Sequence, residues 1–540
     1  MIRAPALPPP LAWPRGPALP PAVVWVPALL ASALALIPPV YLVIRTSEAG
    51  PAFLELLADS RTWLLLANSA GLAFAVTFSA IAVALPVAWL TTRTDLAGRD
   101  LWATLAVLPL VIPTFVGGFV FVAAFGHGGL LQALLGETLG YTPPDIYGFT
   151  GSWIALTLFT YPYVLLPVRA ALRRLDLTLE EAARSLGQSA WSVFWRVTVP
   201  QLRPAVTAGG LLVALYTLSE FGVVSLLRFD TFTRAIYIQY QGSFDRTIAA
   251  GFALVLVALS VSVLLLEGLF RGGARYHRST PGAARTPRPV RLGRWAWAAQ
   301  GYVGGVLAIA LVLPVAVLVY WLLRGLDQGL VFRHGAQAIT SSLLASGLAA
   351  GATGLAAVPV ALLLVRYPSR LAALVERAVY SGFALPGITI ALALVFVAAR
   401  YATPVYQTLG LLIVAYLVRF LPEAVGSTRA SLLQVNPRLE EAARCLGRSP
   451  LQAFATITLP LMLPGILVGM ALAFLSTMKE LPVTLLLAPT GFRTLATNIW
   501  SGASEGLFAE AALGSLVLIG LSALALPLAN PERWTRGHDA

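Results

Sequence analysis

Apolar runs of about 20 residues, the length an α-helix needs to cross roughly 30 Å of hydrocarbon, recur from one end of this chain to the other. Twelve are predicted, in two sets of six. The first set covers Val23 to Ile44, Trp63 to Leu90, Leu101 to Phe125, Ser152 to Leu172, Val206 to Leu227 and Ile248 to Phe270. The second covers Val303 to Leu323, Ile339 to Val365, Ala378 to Ala399, Leu409 to Leu421, Pro464 to Leu487 and Phe508 to Leu528. The run after Leu409 is short and carries Arg419 near its end. Pro109 and Pro113, and separately Pro386, interrupt the third run of each set, where a missing N–H frees a backbone carbonyl. Such kinks serve either gating or packing, and both readings stay open. The predicted class is all-α and polytopic.

Composition agrees with this pattern. With 58% hydrophobic residues, 11% charged residues and a mean hydropathy of +0.79, the chain has too little polar surface for a soluble protein. Arginine then sets the expected orientation, because basic loops stay on the cytoplasmic side. Arg271, Arg275, Arg278, Arg285, Arg288, Arg291 and Arg294 crowd the connection between the sets, and Arg169, Arg173, Arg174, Arg184, Arg196 and Arg203 flank another loop. Twelve spans put both termini in the cytoplasm, and the loops bearing Glu48, Glu55, Asp59, Glu137, Asp145, Asp230 and Asp245 outside. The net charge of +13 is thus a topological footprint and calls for no nucleic acid. The first 22 residues are proline-rich, and the apolar run behind them is too long for a signal h-region, so a retained first span is expected.

The two sets are copies. At an offset of 260, Glu180, Glu181, Ala182, Ala183, Arg184, Leu186, Gly187, Ser189, Pro200 and Pro204 meet Glu440, Glu441, Ala442, Ala443, Arg444, Leu446, Gly447, Ser449, Pro460 and Pro464. Pro86, Val87, Arg93 and Pro113 meet Pro359, Val360, Arg366 and Pro386 at 273. The change of offset implies about 13 extra residues in the first copy, which fit the loop around Gly128 to Thr150, as a tolerated insertion or a docking surface. Six spans per copy make the repeat parallel. The expected units are a first domain over 1–270, a basic linker over 271–298 and a second domain over 299–540.

The repeated loop, about 176–205 and 436–464, carries the informative chemistry. Leu172, Leu175, Leu179, Ala182, Ala183 and Leu186 recur at helical spacing, Gly187 suits the positive φ that stops a helix, and a second amphipathic stretch runs to Pro200. Glu180 and Glu181 fall on the exposed side. Neither copy brings a histidine, cysteine pair or hydroxyl nucleophile beside them, so acid/base catalysis is set aside. Two copies of an acidic helix fit two equivalent contacts with a duplicated partner better than a solvated helix.

These residues resemble the EAA loop of ABC importer permeases: EAA, three residues, Gly, nine residues, then I-x-L-P. Glu441, Ala442, Ala443, Gly447, Ile457, Leu459 and Pro460 match fully; Glu181, Ala182, Ala183, Gly187 and Pro200 match, with Val197 and Val199 in place of Ile and Leu. The resemblance spans the chain as two fused permease domains of the type I importer fold. It implies a transport subunit in the cell inner membrane, not an enzyme. The implied partners are two copies of an ATPase subunit, which uses ATP and Mg, and an extracytoplasmic binding protein; this chain binds no cofactor itself. Lys479 is the only lysine and its neighbours form no phosphate-binding loop, so ATP hydrolysis belongs to another chain.

Lys479 lies in an apolar run, where an ionised group costs about 2.5 to 3.5 kcal/mol and faces a cavity or a partner. Glu480 follows it, and Glu220 occupies the equivalent position of the first copy. Mutual pairing or snorkelling near the outer interface, and a translocation pathway formed by Glu220, Lys479 and Glu480, are both open readings. The stretches LSEFGVVSLLRFDTFTRAIY from Leu218 and STMKELPVTLLLAPTGFRTLATNIW from Ser476 look like segments of fused ferric-iron permeases, which implies ferric iron as cargo. Related permeases for thiamine, polyamines or aminoethylphosphonate are the alternatives, and a secondary transporter is the rival class. His127, His277, His334 and His538 are scattered and Cys445 is alone, so no metal ligand set is expected, and Cys445 reads as a small packing residue.

Overall fold

The computed structural model describes residues 21–126, 128–133, 145–175, 177–242, 247–270, 289–329, 332 and 334–525. Most of the linker, the middle of the inserted loop, both ends of the chain, and His127, His277 and His538 lie outside them. Among the described residues there is no β-strand, only an isolated bridge between Thr94 and Val290. Eleven helical stretches are long and apolar enough to cross a membrane, and a twelfth counts when one bent pair is taken as a single span.

The first half contributes α1 (Ala22–Glu48), α2 (Ser60–Arg93), α3 (Thr114–Phe125), α4 (Phe149–Arg174), α5 (Leu177–Ser185), α6 (Val199–Ser219), α7 (Gly222–Leu226) and α8 (Thr247–Phe270). The second contributes α9 (Leu313–Asp327), α10 (Gly335–Arg366), α11 (Arg370–Ala384), α12 (Gly387–Tyr401), α13 (Leu409–Gln434), α14 (Pro437–Cys445), α15 (Leu459–Met478), α16 (Pro482–Leu487) and α17 (Phe508–Ala525).

The prolines act where the sequence put them. α11 and α12 meet at 110° on either side of Leu385 and Pro386, and α3 starts directly after Pro113. Proline has no N–H to donate and fits the start of a helix, so each of these bonds ends one helix and begins another. Three other prolines are absorbed differently. π-helical turns at Phe194–Thr198, Ala308–Val312 and Phe454–Thr458 each end two residues before a proline, namely Pro200, Pro314 and Pro460. The wider turn takes in the carbonyl four residues back that the ring would otherwise strike. The second helix of the repeated loop therefore does not end at Pro200, as the pattern predicts; it runs through it into α6.

The fifth, tenth and eleventh spans also depart from their predicted bounds. α6 and α15 stop at Ser219 and Met478, several residues short of Leu227 and Leu487, because the chain breaks at Glu220 and at Lys479–Glu480 before short helices resume. α13 extends to Gln434, well past the predicted Leu421, since Arg419 and Glu423 turn into the protein instead of ending the span.

The halves are interleaved. α1 packs against α10, α11 and α12 of the second half, with Ala28 and Ala31 buried among Ala357, Val360 and Val379, and Tyr41 beside Phe396 at 6.1 Å. Reciprocally, the segment leading into α9 and α9 itself lie on the first half, where Gln300 donates to the Ala97 carbonyl at 2.9 Å and Trp321 to the Ala123 carbonyl at 3.1 Å. One apolar core runs from Leu72 and Phe119 through Ile388 and Met478 to Leu518.

Candidate functional site

At the seam between the halves, the four helix breaks surround a cavity of about 410 Å³. Its two walls are unequal. Thr114, Phe159, Tyr163, Tyr216 and Glu220 come from the first half; Arg419, Glu423, Ser476, Lys479 and Glu480 come from the second. The repeat offset sets Phe159, Tyr163 and Ser219 opposite Arg419, Glu423 and Lys479, so three neutral positions of one copy are charged in the other.

Glu220 and Glu480 sit in equivalent breaks and do the same local work. Each is buried, and each accepts a backbone N–H that opens the next short helix, Val223 at 3.0 Å and Val483 at 3.3 Å. The carbonyls freed by the breaks are satisfied as well, Glu220 by the Thr233 hydroxyl at 2.6 Å and Glu480 by the Thr484 hydroxyl at 2.7 Å. Their remaining carboxylate oxygens take different partners. Thr114 donates its hydroxyl to Glu220 at 2.7 Å and is itself 2.9 Å from the Tyr216 hydroxyl. In the second half the position of Thr114 is Gly387, and Arg419 donates to Glu480 at 2.9 Å instead. A Cβ at Gly387 would lie 2.7 Å from Glu480 Oε1 and 2.9 Å from an Arg419 nitrogen, so the ion pair in this geometry uses the space that glycine leaves, and a larger residue would force one of the two side chains to shift. Lys479 points across the seam and donates to the Leu110 carbonyl of the first half at 2.9 Å.

Of the residues expected to line a pathway, all three, Glu220, Lys479 and Glu480, border this cavity. Arg419, Glu423, Tyr163 and Tyr216 were not anticipated. The signal that finds them is charge inside an apolar run, read against the equivalent residue of the other copy.

The repeated loops lie at one end of the bundle. Gly187 and Gly447 take φ of +81° and +85°, the left-handed turn expected after α5 and α14. The paired glutamates divide their roles. Glu180 is buried, contrary to its expected exposure, and accepts Arg93 at 2.5 Å and the Thr198 hydroxyl at 2.9 Å. Glu440 repeats this with Arg366 at 3.1 Å and Thr458 at 2.7 Å. Each such residue locks the loop helix to the end of the second span and to the π-turn ahead of the fifth. Glu181, Glu441, Ala182 and Ala442 remain exposed, whereas Ala183 and Ala443 turn inward. Leu186 and Leu446, beside the turning glycines, are 83% and 85% exposed, an unusual placement for leucine that leaves two equivalent apolar knobs. Cys445, expected to pack, is exposed on α14. Among the described residues no three histidine, cysteine or acidic side chains come together as a metal site.

The chain matches the family model of the binding-protein-dependent transport system inner membrane component twice, over residues 80–276 and 354–529. It belongs to that family. The chain is therefore a multi-pass inner-membrane permease of the ABC importer class, a transport subunit and not an enzyme. It is 36% identical over 490 residues to the Fe(3+)-transport system permease protein FbpB 2 of Haemophilus influenzae, covering 89% of this chain and 93% of that one. The ferric transport system permease protein FbpB of Actinobacillus pleuropneumoniae is 24% identical over 83% of this chain and 67% of its own. The molybdenum transport system permease protein ModB of Haemophilus influenzae is 32% identical over 37% of this chain and 91% of its own length, so it corresponds to a single copy. This permease carries both copies in one polypeptide.

Proposed function

We propose that this permease imports ferric iron delivered by an extracytoplasmic binding protein, and that two copies of an ATPase, using ATP and Mg, drive it between inward- and outward-facing states from the two repeated loops. The observation that carries the cargo is the 36% identity to a ferric-iron permease along nearly the whole of both chains. Carboxylate and phenol oxygens in the seam cavity suit a hard, highly charged cation.

The loops supply the drive. Glu181 with Leu186, and Glu441 with Leu446, offer the same acid and the same apolar knob twice, as two identical ATPase subunits require. Their neighbours are basic, so the loops and both termini belong on the cytoplasmic side. The chain itself calls for no bound cofactor and no nucleic acid, and membrane lipid surrounds its spans.

The test is ATP-dependent uptake into proteoliposomes holding the permease and its ATPase, with binding proteins carrying ferric ion, thiamine, a polyamine or aminoethylphosphonate. Iron uptake that stops without ATP is the expected result. Uptake of an organic solute alone would overturn the cargo, and uptake driven by an ion gradient without the ATPase would make the protein a secondary transporter.

A further inference from the structure

Five acidic or basic side chains border the cavity, Glu220, Glu423, Glu480, Arg419 and Lys479, and four are committed to the protein itself. Glu220 is held by Thr114 and the Val223 N–H, Glu480 by Arg419 and the Val483 N–H. Arg419 is spent on Glu480 and the Leu385 carbonyl, and Lys479 on the Leu110 carbonyl. Glu423 differs. Its carboxylate receives one hydroxyl, from Ser476 at 3.0 Å, and forms no ion pair among the described residues. Whereas Glu220 and Glu480 are only 7% exposed, Glu423 is open to the cavity.

The residue equivalent to Glu423 in the first half is Tyr163, and it borders the same cavity. Its hydroxyl has no hydrogen-bond partner among the described residues. Its ring leans on Tyr216, with centroids 5.5 Å apart, which fixes where the phenol oxygen points. α4 and α13 thus present one carboxylate and one phenol from the same register, across the seam that must open and close.

We propose that Glu423 and Tyr163 are the groups that touch the cargo during its passage, one from each half, and that they select a hard trivalent cation. An uncommitted carboxylate supplies negative charge and two oxygen ligands; the phenol adds a third, neutral oxygen from the other half. Neither group binds the ion alone, so the contact is transient, as conduction through a carrier needs. Glu220 and Glu480, the acids that the repeat makes conspicuous, hold the breaks in shape and set the cavity's field. The inference rests on the iron reading above and adds which residues carry it.

The experiment uses the full importer in proteoliposomes, with binding protein loaded with radioactive ferric ion, and reads initial uptake together with ATPase stimulation by the loaded binding protein. Glu423→Gln is expected to lower iron uptake by about tenfold or more while stimulation stays within about twofold of wild type. Tyr163→Phe is expected to lower uptake several-fold with the same retention, and Glu423→Asp to restore most of it. Glu376→Gln, in an ion pair with Arg429 away from the cavity, is the control expected to match wild type. Wild-type uptake in Glu423→Gln overturns the proposal. Should that variant fail to assemble, unchanged uptake in Tyr163→Phe overturns it equally. Failure of the wild-type importer to carry iron strikes the cargo reading instead, and is visible before any variant is made.

Discussion

Arg419 reaches Glu480 through the space that a side chain at Gly387 would fill. The equivalent space in the first half is filled by Thr114, which serves Glu220 with a hydroxyl. The two copies have thus exchanged a neutral hydrogen bond for an ion pair by moving bulk from one helix to another.

Gly387→Ala should push the guanidinium off Glu480. Overpacking of this kind costs about 1–3 kcal/mol, more where it also unpairs a buried carboxylate. A lowered melting temperature of the purified permease in detergent is the expected reading. Gly387→Ala combined with Arg419→Met, which makes room again, should recover part of the loss; equal stability of the glycine and alanine forms would refute the packing argument.

The glutamates that lock the loop helices should differ in cost. The Arg93–Glu180 pair is almost sealed, with side chains 5% and 10% exposed, against 16% and 31% for Arg366–Glu440. Breaking a buried pair costs about 3–5 kcal/mol, an exposed one about 1 kcal/mol or less. Glu180→Gln is therefore expected to lower thermal stability clearly more than Glu440→Gln. Equal losses would mean that both pairs are wetted alike.

Charge reversal at the exposed neighbours should act on coupling and spare the fold. Glu181→Lys with Glu441→Lys is expected to abolish ATPase-driven uptake while the melting temperature stays put, because both residues are exposed and neither has a partner among the described residues. Cys445 gives an independent reading. It is the chain's one cysteine, exposed on α14, and a docked ATPase should shield it from a maleimide reagent in wild type and leave it reactive in the double variant. Undiminished uptake in the double variant would sink the docking role.

Lys479 ties one half to the other through the Leu110 carbonyl. A charge-assisted hydrogen bond contributes about 1.5–3 kcal/mol, so Lys479→Met should shift the balance between the two access states by about tenfold or more. Distance measurement between labels on the two halves, without nucleotide, checks this. An unchanged distance distribution would show that the tie persists in both states.

Apolar run length and the internal repeat made the helical class, the proline breaks and the two loops legible in the sequence. The cavity was less so, for one physical reason. Arg419 cut the predicted tenth span short, since polarity in a window reads as an end, whereas in α13 the polar residues mark the face turned to the seam. The reverse error occurred at Glu220 and Glu480, where apolar residues continue past the acid and hide a break made by backbone capping. The inward turn of Glu180 also escaped, because its partner Arg93 is 87 positions away and only the fold brings them together.

Because α1 lies on the second half and the segment entering α9 lies on the first, the polypeptide clasps itself twice, like two hands with crossed thumbs. Such a clasp permits rocking but resists parting. A clasp of this kind would let transport proceed without separating the lobes, with the crossed helices as the axle and the seam gaping at one rim while it stays shut at the other. Cutting the chain in the linker should consequently yield two fragments that remain associated, bound by their exchanged helices and not by the peptide bond between them.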